Sequence, residues 1–147
     1  MTKLNLQNLQ WSNQHSEALE HLQTVDSKQL ALMIAEAADD RKADNIILLN
    51  VEKLSYVADY FVIVTGFSQP QLRAISTSIE DKIEEKFQRL PVRVEGKTDG
   101  NWILHDYGDV IAHIFLPEAR EFYNLEAFWG GAEKIIYNSE YQSQNQN

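Results

Sequence analysis

The sequence predicts an α/β fold: a single domain with a mixed β-sheet of about five strands packed with helices. Two short apolar runs, Ile46-Ile47-Leu48-Leu49 and Tyr60-Phe61-Val62-Ile63-Val64-Thr65, have the composition of strands covered on both faces. Soon after them Leu72, Ile75, Ile79, Ile83 and Phe87 recur at three- and four-residue spacing, the mark of an amphipathic helix. The chain has 147 residues, 44% of them hydrophobic. That suits one core, because domains run to roughly 100–150 residues.

The elements follow in order. Residues 1–25 are rich in Gln and Asn with scattered Leu and one Trp, and they lack a sustained period. They are read as a flexible N-terminal extension, with a short docking helix as the alternative. The domain is placed at residues 26–137, followed by a disordered polar tail over 138–147. Asp26 with Gln29 resembles a capping box, and Leu30, Met33, Ile34, Ala37 and Arg41 continue at helical spacing. Strands are expected at Asn45–Val51 and Tyr60–Thr65. The segment Leu54–Asp59 between them is too short for more than a turn, so the two should pair antiparallel. Gly66 breaks the second strand, and Pro70 falls where a first helical turn tolerates it. Pro91–Glu95 reads as a third strand and Gly96–Gly100 as a loop. Asn101–Asp106 and Val110–Leu116 read as a hairpin joined through Tyr107-Gly108. Pro117 opens a helical stretch whose Phe122, Tyr123, Phe128 and Trp129 are expected to pack on the sheet, and Gly130-Gly131 weakens its end.

Composition narrows function. With no cysteine, disulfides, thiolate metal sites and cysteine nucleophiles are excluded, and the cytoplasm is the expected location. No apolar run approaches the ~20 residues of a membrane span, and the start lacks a secretory signal, so no membrane partner is expected. The net charge of −9 disfavours nucleic-acid backbones and favours a basic partner. From residue 95 to 126 the acids Glu95, Asp99, Asp106, Asp109, Glu118, Glu121 and Glu126 face only Lys97 and Arg120. A solvated acidic face explains that run as well as a partner does.

No catalytic, cofactor or metal site emerges. Gly66 and Ser68 stand where a strand turns into a helix N-terminus, a geometry that holds phosphate. An enzyme handling nucleotides would also need paired carboxylates on one strand face, and the third strand offers only Glu95. Asp106 and Asp109 flank a turn, where acids serve turn hydrogen bonding. If Tyr107-Gly108 is a two-residue turn, Asp106 pairs with Asp109 and Trp102 with His113. His105 then pairs with Val110 on the opposite face, so His105 and His113 cannot share a metal. In this register Trp102, Leu104, Ile111, His113 and Phe115 share one face with Tyr107 at the tip. That face is either core beneath the C-terminal helices or an aromatic interface with a polar rim, and residue chemistry leaves both readings open.

The ordered set Asp59–Ser68, Arg73-Ala74-Ile75, Val94-Glu95-Gly96, Trp102, Asp106-Tyr107-Gly108-Asp109, His113-Ile114-Phe115, Arg120 and Tyr123-Asn124-Leu125-Glu126 with Trp129 resembles the Iojap family of ribosomal silencing factors, RsfS, over about residues 30–135. The resemblance implies a nucleotidyltransferase-like fold without the catalytic carboxylates, no enzymatic activity and no cofactor. It further implies binding to the large ribosomal subunit through its basic ribosomal protein fourteen, steric exclusion of the small subunit, and lowered translation under nutrient limitation. A homodimer is also implied, and a factor that escorts large-subunit assembly through the same surface stands as the alternative reading. The partner-facing residues would be Trp102, Asp106, Tyr107, Asp109, His113 and Phe115. Asn50, Gln71 and His105 depart from the family's usual Asp, His and apolar residue. His105, beside Asp106, is expected to charge the hairpin below about pH 6.5.

Overall fold

A computed structural model describes residues 26–138. The extension over 1–25 and all but the first residue of the expected polar tail therefore lie outside the described residues. Helix α1 (Ser27–Asp39) begins at Asp26, whose carboxylate accepts from the Lys28 amide, and it buries Leu30, Ala31, Ile34, Ala35, Ala37 and Ala38 along one side. Strands β1 (Asp44–Asn50) and β2 (Tyr60–Thr65) form the expected antiparallel pair. Every β2 residue is buried. Helix α2 (Gln69–Phe87) is capped by Ser68, whose hydroxyl accepts from the Gln71 amide, and it buries Leu72, Ile75, Ile79 and Ile83 as the stripe requires. Then come β3 (Arg93–Glu95), β4 (Trp102–Asp106), β5 (Val110–Phe115), the short helices α3 (Pro117–Tyr123) and α4 (Leu125–Phe128), and β6 (Glu133–Ile136).

The sheet has six strands in the order β3-β4-β5-β2-β1-β6. Neighbours are antiparallel except β2 and β5, which run parallel because α2, β3 and β4 intervene between them. The sixth strand exceeds the expected count. It is four residues, Glu-Lys-Ile-Ile, one residue after two glycines, so it carries no alternation to announce it.

The two sheet faces are covered unequally. Ile46, Leu48, Tyr60, Val62, Val64, Ile103, Ala112 and Ile114 pack beneath α1 and α2. Ile47, Leu49, Phe61, Ile63, Ile111 and Phe115 form the second cluster on the opposite face, where the cover is α3, α4 and the chain leading to β6. Neither α3 nor α4 has a single buried residue.

The β4–β5 register differs from expectation. Trp102 pairs with Phe115, Leu104 with His113 and Asp106 with Ile111, and the Tyr107 amide donates to the Val110 carbonyl at 2.9 Å. The two-residue turn is therefore Gly108-Asp109, one residue further on, with Gly108 at φ 93° in the left-handed region that glycine tolerates. The slip moves the pairing by two residues, so face parity survives. Trp102, Leu104, Ile111, His113 and Phe115 do share one face, with His105 on the other. Gly96 is a second positional glycine. At φ 89°, a Cβ there would lie 1.9 Å from the Trp102 carbonyl oxygen, so only glycine lets the β3–β4 loop lie against the start of β4.

His105 does not charge the hairpin. It is fully buried beneath α2, with its Nε2 2.7 Å from Ser76 Oγ and its ring stacked on Tyr107. Desolvation holds its pKa down at about 4, with Glu80 opposing and Lys97 adding to the fall. His113, buried on the other face, is likewise held down at about 4 by desolvation. In the unfolded chain both imidazoles take up protons near pH 6.5, whereas the folded protein resists this down to about 4. Stability is therefore complete above pH 6.5 and declines as pH falls through that window, by up to ~1.4 kcal/mol per pH unit for each histidine. Urea unfolding at several pH values should show this slope, and His105→Leu should remove about half of it. An unchanged slope in that variant would contradict the burial argument.

Candidate protein-docking surface

Aromatic rings run across the less-covered sheet face in a continuous chain. Tyr123 stands 4.7 Å from Trp102, Trp102 4.9 Å from Phe115 and 5.7 Å from His113, His113 5.2 Å from Phe61, and Phe61 5.4 Å from Trp129. The indole Nε1–H of Trp102 donates to His113 Nδ1 at 3.1 Å. This bond needs the neutral imidazole with its proton on Nε2, the state that burial favours. Trp102 is thereby fixed in one orientation while remaining only half-buried. Beside it an open groove of about 660 Å³ is lined by Phe67, Trp102, Leu116, Pro117, Phe122 and Tyr123, with Glu118 at its rim. Phe67, Phe122 and Tyr123 are 62%, 81% and 49% exposed. Large apolar side chains gathered this way are what a protein interface uses, since scattered single exposures need no explanation but a contiguous patch does.

The expected partner-facing residues divide into two groups. Trp102 is half-buried at the groove. Phe115 is fully buried beneath it, and His113 acts from below by holding the indole. Asp106, Tyr107 and Asp109 lie at the far end of the hairpin, roughly 13 Å along β4 from Trp102 at ~3.3 Å per residue. Tyr107 is 2% exposed and packs into the core beneath α2, so it cannot project from the tip. Asp106 accepts from the Gly108 amide at 2.8 Å and meets Arg93 at 3.4 Å, while Asp109 pairs with Arg89 at 2.7 Å. These two acids thus serve the turn and its neighbours. Phe67, Leu116, Pro117, Glu118 and Phe122 were missing from the sequence-derived site. Phe122 lies on the solvent side of α3, which ends at Asn124 with φ 44°.

The groove's wall is held by Arg120. Its Nη1 donates to the Asn45 carbonyl at 2.6 Å and to Thr65 Oγ1 at 2.8 Å. Its Nε donates to Glu126 Oε1 at 2.8 Å, with Nη2 in ion-pair contact at 2.7 Å. One guanidinium therefore ties α3 to β1, β2 and α4. Opposite, Gln71 receives the Phe67 amide at 2.8 Å and donates to the Arg41 and Lys42 carbonyls at 3.2 Å, which fixes the β2–α2 corner carrying Phe67.

The nucleotide-site residues are not brought together. Glu95 lies on edge strand β3, paired with Arg93, and Gly66 ends β2 three strands away, roughly 14 Å at ~4.8 Å per strand. A Cβ at Gly66 would meet Leu72 Cδ1 at 2.6 Å, so that glycine permits helix–strand packing. Among the described residues no group of three or more His, Cys, Asp or Glu is placed to hold a metal ion.

Residues 24–147 match the family model described as ribosomal silencing factor during starvation, RsfS. The chain belongs to the RsfS family. It is 39% identical over 108 residues to the ribosomal silencing factor RsfS of Bacillus subtilis, covering 74% of this chain and 91% of that protein. It is 32% identical over 99 residues to a mouse protein named mitochondrial assembly of ribosomal large subunit protein 1, covering 66% of this chain but only 43% of the mouse protein. A crystal structure of a Chromobacterium violaceum protein superposes with TM-score 0.68 at 33% identity, over 76% of this chain and 92% of that one. The resemblance read from the motifs is thus shown, and the α/β mixed sheet with it.

In this RsfS-family chain Arg120 holds the C-terminal cover together with Ala119, Leu125 and Trp129, which pack on the second apolar cluster. Arg120→Ala should lower stability by about 2 kcal/mol, since Glu126 and the Asn45 carbonyl lose a partly buried cationic partner. Arg120→Lys should recover little, because an ammonium cannot bond in the guanidinium's several directions. Denaturant unfolding of the three proteins, followed by tryptophan fluorescence, checks both points.

Proposed function

We propose that this protein is a non-enzymatic ribosomal silencing factor of the cytoplasm. It binds the large ribosomal subunit through its basic ribosomal protein fourteen, sterically blocks the small subunit from joining, and so lowers translation when nutrients are limiting. The observation that carries the reading is the open aromatic groove beside Trp102, with its acidic rim, in a chain of the RsfS family. The net charge of −9 favours a basic docking partner over bare nucleic acid. No helix among the described residues is long and apolar enough to cross a membrane.

The groove refines which residues do the binding. Trp102, Phe67, Phe122 and Tyr123 supply contact area, Glu118 supplies charge, and His113 and Phe115 act from beneath by setting the indole. Rigid aromatics with few rotatable bonds are favoured anchors, because little entropy is lost on docking. Assembly of the large subunit is the second reading, favoured by the printed name of the mouse relative. It uses the same surface, and preferential binding to immature rather than mature large subunits would distinguish it.

Purified protein should co-sediment with isolated large subunits and should reduce subunit joining at saturating concentration; failure of either defeats the proposal. Phe122→Asp should weaken binding strongly without touching the fold, since this side chain is 81% exposed. Trp102→Ala should weaken it by ~2 kcal/mol or more, the size of a hot spot. Because Trp102 also packs on Phe115 and Tyr123, its circular dichroism and melting are compared alongside. Full-strength binding by the Phe122 variant would move the docking surface elsewhere.

A further inference from the structure

We infer that the groove has an occupant within this chain: the segment Leu4–Trp11, which docks on the Phe67–Trp102–Phe122 surface and competes there with the partner. The regulatory consequence rests on the silencing reading above, whereas the docking itself does not.

Three observations support this. The first is chemical match. Residues 1–14 carry Leu4, Leu6, Leu9 and Trp11, and their sole charged side chain is Lys3. An apolar peptide with one cation is the chemistry that an aromatic groove with Glu118 at its rim accepts, and Glu121 on the same helix adds a second acid close by. In that respect the segment mimics the basic, partly apolar surface expected of an external partner. The polar stretch 139–147, Ser-Glu-Tyr-Gln-Ser-Gln-Asn-Gln-Asn, offers no aliphatic side chain and a single aromatic, so it is a poor competitor for the same seat.

The second observation is reach. The described chain begins at Asp26, beside the start of β2, because the Ser27 hydroxyl donates to Asp59 there. The groove lies at the opposite end of the same strand. The six residues of β2 span roughly 20 Å, and the sheet with its cover adds roughly 10 Å more. Residues 12–25 can span up to about 45 Å at ~3.3 Å per residue, enough to bring Leu4–Trp11 round the sheet into the groove.

The third is that the match to the family model leaves this segment out. The RsfS family model begins at residue 24. The described residues form a six-stranded sheet over two apolar clusters and carry the groove themselves. A tether of this length gives an effective concentration in the millimolar range. Even a peptide of modest intrinsic affinity then occupies the groove for much of the time. Partner binding is weakened by the fraction of protein left open, a factor of about 3 to 10.

The test uses the full chain, isotope-labelled for NMR, and a fourfold variant carrying Leu4→Ser, Leu6→Ser, Leu9→Ser and Trp11→Ser. These positions lie outside the described residues and before the family match, and unchanged circular dichroism and melting show that the variant keeps the fold. The Trp102 indole N–H and the amides of Phe67, Ala119 and Phe122 should shift in the variant. Adding a synthetic peptide of residues 1–14 to the variant should move them back toward the wild-type positions. Affinity for isolated large subunits should rise about 3- to 10-fold in the variant. Identical groove signals in the two proteins overturn the inference, as do shifts confined to another surface such as Leu90 and Val92. Groove shifts that vanish on dilution assign the contact to a second copy and overturn it too. If the groove signals behave as expected but neither protein binds large subunits, the silencing reading fails while the intramolecular docking stands.

Discussion

Strand β2 has no exposed residue, and this one constraint organises the molecule. A strand buried on both sides must sit inside the sheet and must be roofed twice. On one face two helices of 13 and 19 residues supply the roof with long aliphatic stripes. On the other face the described residues offer only helices of 7 and 4 residues, neither with a buried side chain of its own. Aromatic rings compensate for the missing helix. Phe61, His113, Phe115, Trp102 and Trp129 tile the exposed sheet, and their edge-to-face and tilted contacts replace aliphatic interdigitation. Among the described residues that sheet face is incompletely roofed, and the groove lies where the roof stops.

Polar groups carry a share of the cover that apolar burial carries elsewhere. Arg120 threads beneath α3 to reach the β1 backbone at Asn45, itself in a left-handed conformation beside a β-bulge, and the β2 side chain Thr65. Such directional bonds fix position more sharply than greasy contact does, and a recognition surface needs fixed position. The Trp102–His113 bond works in the same way. It requires a neutral imidazole, and a dry site keeps it neutral.

How much of this was legible depended on periodicity. The helices α1 and α2 were readable from apolar residues at helical spacing, β1 and β2 from short unbroken apolar runs, and β4 and β5 from the glycine turn between them. β6 was hidden because four residues carry too few repeats, and its strand character comes from its pairing with β1. The hairpin face was legible through a wrong turn: Gly108 was correctly identified as the pivot, but its turn partner is Asp109, and only the even slip kept Trp102 and Phe115 together. Burial of Tyr107 and His105 was not readable, since both lie on a strand and a tip whose local pattern does not reveal that α2 crosses above them. The groove itself joins residues from β2's end, β4, β5's end and α3, and no local signal connects positions so far apart in the chain.

The pairing of β1 with β6 also bears on when this protein becomes finished during synthesis. β1 is the first strand made and β6 the last among the described residues, so the outer side of β1 stays open while every other strand finds its neighbours. During that interval Ile47, Leu48 and Leu49 present an unpaired apolar edge, the kind that recruits strands from other chains. Closing it late makes the final four-residue strand a latch. A chain truncated before Glu133 would leave β1 as an open edge strand, whereas in the finished fold β6 takes that position.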